Sequence, residues 1–155
     1  MILFCHGRFL EYIIKDYKYW ALMVHSNQQY LGRCVVWCKR EEALDLPDAN
    51  EAEQKEFFEI LKELKVILAK VFQPDVLNYS FLGNRTHHLH CHVIPRYSKP
   101  VVFVGVTFVD TLYGSHYQTD KDFVTSPDLL QSVKKKIESM IMERTASSHP
   151  RSEVS

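Results

Sequence analysis

Apolar and polar positions along the chain alternate between two rhythms. Tyr19-Trp20-Ala21-Leu22-Met23-Val24 is a run of aromatic and aliphatic residues that predicts a strand. His25-Ser26-Asn27-Gln28-Gln29 is polar and turn-like, and Gly32 precedes a second strand-like run, Arg33-Cys34-Val35-Val36-Trp37-Cys38. After a connector over residues 41–50 the rhythm changes. Phe57, Leu61, Leu64, Leu68 and Val71 recur at three- and four-residue steps, which marks one face of a helix. Asn50 and Glu53 form a capping box at its start, and Pro74 ends it. Residues 76–82 return to a strand pattern. Gly83-Asn84-Arg85-Thr86 is a tight loop, and a further strand follows, closed by Pro95.

The flanking segments are read the same way. A short helix is expected over residues 8–15, with Phe9, Tyr12 and Ile13 as its apolar side. Residues 100–109 (PVVFVGVTFV) form one extended apolar run, and residues 111–117 an irregular aromatic segment. Ser126 as N-cap and Pro127 at the first helical position open a last helix, with Leu130, Val133, Ile137 and Ile141 on its apolar side. Lys134-Lys135-Lys136 is its solvated face. Residues 145–155 are polar and are expected to be a disordered tail, leaving a single domain over residues 1–144. Two strands, a helix and two strands give an α+β fold: an antiparallel sheet with a helix packed on one face and a C-terminal helix.

Composition narrows the partners. Acidic and basic residues balance at 19 each, so no broad positive field is available for a nucleic acid backbone, and anion binding must be local. No apolar run reaches about 18 residues, so no membrane span is expected. The cysteines Cys5, Cys34, Cys38 and Cys91 form no C-x-x-C pair. Cys34 and Cys38 share one strand, where their Cα atoms would lie about 13 Å apart, beyond disulfide reach. A reducing, cytoplasmic setting fits this usage.

The chemistry concentrates in His87-His88-Leu89-His90-Cys91-His92, four histidines in six residues. In a strand, His88, His90 and His92 project from one face while Leu89, Cys91 and Val93 bury the other. Imidazole changes charge near neutral pH and can serve as nucleophile, proton donor or metal ligand. Zinc accepts three histidines and a water. Three alternate histidines on a straight strand, however, span roughly 13 Å, too far to meet on one ion. His87 should point away from the triad and be structural. His25 and Asn27 could reach a ribose or base, or belong to a plain loop. Arg85 could grip a phosphate with its planar fork, or be a surface arginine. Arg96 reads as a salt-bridge partner. Asp110, Tyr113, His116 and Tyr117 form a polar–aromatic cluster that could close a pocket.

The run His88-Leu89-His90-Cys91-His92-Val93-Ile94, continuing into Pro95-Arg96-Tyr97, resembles the signature of the histidine triad (HIT) family. Asn78 and Gly83-Asn84 stand where that family places an asparagine and a Gly-Gln or Gly-Asn loop. Gly32 to Val36, with Lys39-Arg40, resembles the strand ahead of the family's helix. The likeness covers residues 17–109. It implies a HIT-like fold, a homodimer and cleavage of a nucleotide at the α-phosphorus. Dinucleoside polyphosphates and nucleoside phosphoramidates are the implied substrates. It makes His90 the nucleophile that forms a phosphohistidine, flanked by His88 and His92. Asn84, Gly83, Thr86, Asn78, Asn27 and Arg85 are the expected substrate contacts. No cofactor is required, although a divalent metal can accompany a polyphosphate. Lys39-Arg40-Glu41-Glu42 lacks the extra histidine many relatives carry there. The alternatives are a nucleotide-binding regulator with little turnover and a three-histidine metal enzyme.

Overall fold

The computed structural model describes residues 9–148. Five strands form one antiparallel sheet: β1 (Ile13–Asp16), β2 (Trp20–Val24), β3 (Cys34–Cys38), β4 (Val76–Ser80) and β5 (His90–Arg96). Their spatial order is β1-β2-β3-β5-β4, so the histidine-bearing strand is flanked by β3 and β4. Helices α1 (Glu51–Val71) and α2 (Pro127–Ser147) contact each other and pack on the sheet. The α+β architecture expected from the residue pattern is the one observed.

Strand alternation decides what each side of the sheet does. Cys34, Val36 and Cys38 of β3 and Cys91 and Val93 of β5 are fully buried and join Leu64, Leu68, Val133 and Ile137 of the helices in one core. The intervening residues Val35, Trp37, His90 and His92 point to the other side, as a two-residue repeat requires. One face of the sheet therefore supplies cohesion and the other is left for chemistry.

The helix starts follow local hydrogen bonding. Asn50 and Glu53 exchange the two bonds of a capping box, each 2.9 Å. Glu53 is only 2% exposed, and its charge is matched by Arg40 at 2.7 Å. Ser126 caps α2 with Pro127 at its first position. That helix runs to Ser147 with Ser148 as its C-cap, so residues 145–148 of the expected tail are ordered into the helix and its end, and 149–155 lie outside the described residues.

Three segments differ from the sequence reading. Residues 8–15 were expected to be helical, but only a 3₁₀ turn (Leu10–Tyr12) forms, and Ile13–Asp16 pairs with β2. The apolar spacing there fits a helix, but an open sheet edge beside β2 offers more backbone bonds than one amphipathic turn. The apolar run over 100–109 is not one strand but a hairpin, β6 (Val101–Phe103) and β7 (Val106–Phe108). Its two-residue turn puts Val104 at φ 44° and Gly105 at φ 78°, the double positive φ of a hairpin turn that matches strand twist. Pro95 does not close β5. It pairs opposite Leu77 of β4, beyond Cys34↔Val93 where the β3 pairing ends, so one side of the strand is an edge there and the missing N–H is tolerated.

The chain after β7 crosses the non-helical face and is tied down by Arg96. This guanidinium contacts Asp110 at 2.6 and 3.1 Å, Asn78 Oδ1 at 2.8 Å, and the carbonyls of Leu112 and Ser115 at 2.8 and 2.9 Å. The salt-bridge reading of Arg96 holds. The side chains of Arg96 and Asp110 are 4% and 1% exposed. Removing one partner leaves a buried charge uncompensated. Asp110→Ala is expected to lower unfolding free energy by about 3–5 kcal/mol, measured by urea denaturation.

Candidate active site

The site begins where β5 starts. His88 lies just outside the strand, which opens at His90 rather than at the first triad histidine. The backbone there is pinned on both sides: Leu89 N–H donates to Ala43 O at 2.9 Å, and Cys38 N–H donates to Leu89 O at 3.1 Å. This turns the His88 carbonyl toward the ring of His90. His90 Nδ1 lies 2.7 Å from that oxygen. A carbonyl only accepts, so neutral His90 carries its proton on Nδ1 and presents an unprotonated Nε2.

The neighbouring rings are fixed by different partners. His88 Nε2 sits 2.7 Å from Cys38 O and donates to it. Trp37 lies against both His88 and His90, with ring centroids 4.3 and 5.2 Å away and interplanar angles of 18° and 23°. The His90 and His92 rings meet edge to face at 5.1 Å. His92 Nδ1 lies 3.4 Å from a terminal nitrogen of Arg33. A guanidinium only donates, so His92 Nδ1 accepts and its proton resides on Nε2. Burial, with the charges of Arg33 and His90, lowers the pKa of His92 to about 4. Burial, with Arg33 and His92, lowers that of His25 to about 3. Both rings are neutral at pH 7.

A cavity of about 700 Å³ opens in front of His90 and His92. Met23, Val24, Val35 and Trp37 give it an apolar floor, and Asn84, Arg85 and Thr86 come from the β4–β5 loop. No carboxylate lines it among the described residues. A smaller adjoining cavity of about 290 Å³ contains Gly83, His87 and His88 and shares Asn84 and His90 with the first. The triad, Asn84, Arg85, Thr86 and Gly83 thus line two cavities that share Asn84 and His90.

Two expected contacts are not. Asn27 is engaged elsewhere: its amide donates to Asp120 O of a distant segment at 2.8 Å, and its Oδ1 accepts from Gln29 N–H in its own loop at 3.0 Å. Asn78 gives its Oδ1 to Arg96. Both requirements arise from chain segments far away in sequence. His87 is exposed and faces the smaller cavity. Of the aromatic cluster, Tyr117 alone approaches the site, 5.5 Å from the Arg33 guanidinium, while Tyr113 and His116 are exposed. Trp37 and Arg33 were not singled out as site residues. Two-residue alternation from Val35 would have placed both on the triad's side of β3.

The HIT domain family model matches residues 11–99. The chain belongs to the HIT domain family. Structural neighbours agree on the fold at low identity. A histidine triad protein from Sinorhizobium meliloti is 15% identical, with 85% of this chain and 87% of that chain covered and a TM-score of 0.66. A hypothetical histidine triad nucleotide-binding protein from Sulfolobus tokodaii is 17% identical, covering 85% and 84%, at 0.64. Diadenosine triphosphate hydrolase from Plasmodium falciparum, solved with cyclomarin A, is 14% identical, covering 87% and 79%, at 0.62. No curated protein sequence matches. No helix among the described residues is long and apolar enough to cross a membrane.

Proposed function

We propose that this HIT domain protein is a nucleotide hydrolase that cleaves at the α-phosphate through a covalent intermediate on His90. The observation that carries this reading is the 2.7 Å bond between His90 Nδ1 and the His88 carbonyl, which leaves Nε2 as a lone-pair donor facing a cavity. A neutral nucleophile suits a phosphorus centre surrounded by anionic oxygens. Nε2 bonds to phosphorus, and the bond to the leaving oxygen breaks with its electron pair. Water then attacks, the phosphorus–nitrogen bond returns its pair to Nε2, and a nucleoside monophosphate is released. As Nε2 acquires the phosphoryl group the ring becomes cationic, and the His88 carbonyl stabilises that charge.

Charge on the phosphoryl oxygens is met by hydrogen-bond donors around the cavity, of which His92 is held in place by its neighbours. His92 Nε2–H, the Asn84 amide, the Thr86 hydroxyl and the Arg85 guanidinium are the available groups. The apolar floor of Met23, Val24 and Val35 suits a flat base. Dinucleoside polyphosphates and nucleoside phosphoramidates are the substrate classes the family offers. Neither step calls for a metal; a divalent ion would arrive with the polyphosphate. The free thiols of Cys34, Cys38 and Cys91 support a reducing, cytoplasmic setting.

Homodimerisation is part of the same proposal. β4 is an edge strand with Val76 and Tyr79 exposed, beside a mostly apolar groove that includes Phe57, Phe58 and Phe81. Antiparallel pairing of β4 with a second copy would cover edge and groove together. Sedimentation equilibrium should give twice 18.2 kDa; a monomer at micromolar concentration contradicts the dimer.

His90→Ala is expected to abolish turnover of diadenosine tetraphosphate, with nucleotide binding and thermal stability largely retained. Wild-type protein quenched during turnover should carry a nucleotidyl group on His90, detected by peptide mass spectrometry. Full activity in His90→Ala rules the assignment out.

A further inference from the structure

Among the described residues Arg33 is a buried cation without an ion-pair partner. It is 3% exposed. One terminal nitrogen donates to Thr119 Oγ1 at 2.9 Å, the other faces His92 Nδ1 at 3.4 Å, and its Nε has no hydrogen-bond partner. The guanidinium lies over the Tyr117 ring. Its backbone is clamped as well. Arg33 N–H donates to Tyr30 O at 3.0 Å, and Arg33 O accepts from His25 N–H and from Gln28 Nε2. Gly32, at φ 85° with a Phe72 ring carbon 2.8 Å from where a Cβ would sit, completes the turn that aims it. Arg33 itself does not line the cavity, and of the side chains its guanidinium touches, Thr119, Tyr117 and His92, only His92 does.

We propose that Arg33 is a positioning residue that locks His92 as a neutral donor through Nε2, and so confines efficient turnover to phosphoanhydrides, whose leaving group departs as a stable anion. This rests on His90 being the nucleophile. The chemistry is a matter of proton supply. A polyphosphate leaves with its negative charge spread over phosphate oxygens and needs only a hydrogen bond. An amine leaving a phosphoramidate must be protonated as the phosphorus–nitrogen bond breaks. His92 can surrender its Nε2 proton only if Nδ1 takes up another, and the group facing Nδ1 is a guanidinium, which holds its protons at any working pH.

The other titratable or charged groups around His92 do not repair this. From the end of β2, His25 stands 5.5 Å from it, ring to ring, and is itself held neutral by burial and Arg33. From its own strand, His90 is the nucleophile. From the segment after β7, Tyr117 lies behind Arg33. Tyr12, whose pKa is raised by burial and by Glu11, and the guanidinium of Arg85 are the remaining such groups of the cavity. Among the described residues no carboxylate lines this cavity, so none is placed to relay a proton to His92 Nδ1.

The test compares diadenosine tetraphosphate with an adenosine phosphoramidate carrying a simple alkylamine, in wild type, Arg33→Gln and Arg33→Lys. Wild type should favour the polyphosphate in kcat/KM by about 100-fold or more, the usual size of a general-acid contribution. Arg33→Gln should narrow that ratio at least about tenfold and give the phosphoramidate a rate that rises from pH 7.5 to 6; Arg33→Lys should stay nearer wild type. An unchanged ratio in folded Arg33→Gln, or equal use of both substrates by wild type, overturns the proposal. Should Arg33→Gln not fold, NMR of the His92 ring in wild type decides. A His92 ring protonated at Nε2 with Nδ1 bare supports the lock, and a proton on Nδ1 removes it. Adducts on His90 formed equally fast from both substrates would sink the role of Arg33 alone. No adduct from either would sink the proposed hydrolase and this inference together.

Discussion

His90 is a candidate nucleophile because of a backbone oxygen two residues before it. The 2.7 Å contact between its Nδ1 and the His88 carbonyl fixes which nitrogen holds the proton, which way the ring faces and where positive charge can be stabilised when Nε2 forms a bond. That carbonyl faces the ring because the chain has not yet entered β5 at His88. Leu89 is bound to Ala43 on one side and to Cys38 on the other, and the His88 ring is occupied by Cys38 O and by stacking on Trp37. The irregular backbone before the strand is thus part of the site.

The neighbouring imidazole has the opposite tautomer for an equally local reason. A pure acceptor faces His90 Nδ1 and a pure donor faces His92 Nδ1, so one ring offers a lone pair and the next offers a proton in front of the same cavity. Two chemically identical side chains acquire different roles through partners that lie behind them. Helices on the far side of the sheet hold this arrangement by burying the alternate residues of the same strands.

Much of this was legible in the sequence. Alternation placed His90 and His92 opposite Cys91 and Val93, and the Asn50–Glu53 and Ser126–Pro127 signals marked both helix starts, because each depends on neighbours within a few residues. Features set by distant segments were not legible. β1 exists because β2 has a free edge, and the 101–108 hairpin turns on a valine at positive φ that no local preference announces. Asn27 and Asn78 look available as isolated residues, but Asp120 and Arg96 engage them across 93 and 18 positions. Arg33 has no charge partner nearby in sequence either, and its contact with His92 spans 59 residues.

The direct measurement of the central claim is the tautomer of each triad ring, read from ¹⁵N shifts and long-range ring couplings in histidine-labelled protein near pH 7.5. The expected result is His90 protonated at Nδ1 and His92 protonated at Nε2. His90 protonated at Nε2, with its nucleophilic nitrogen capped by hydrogen, would contradict it.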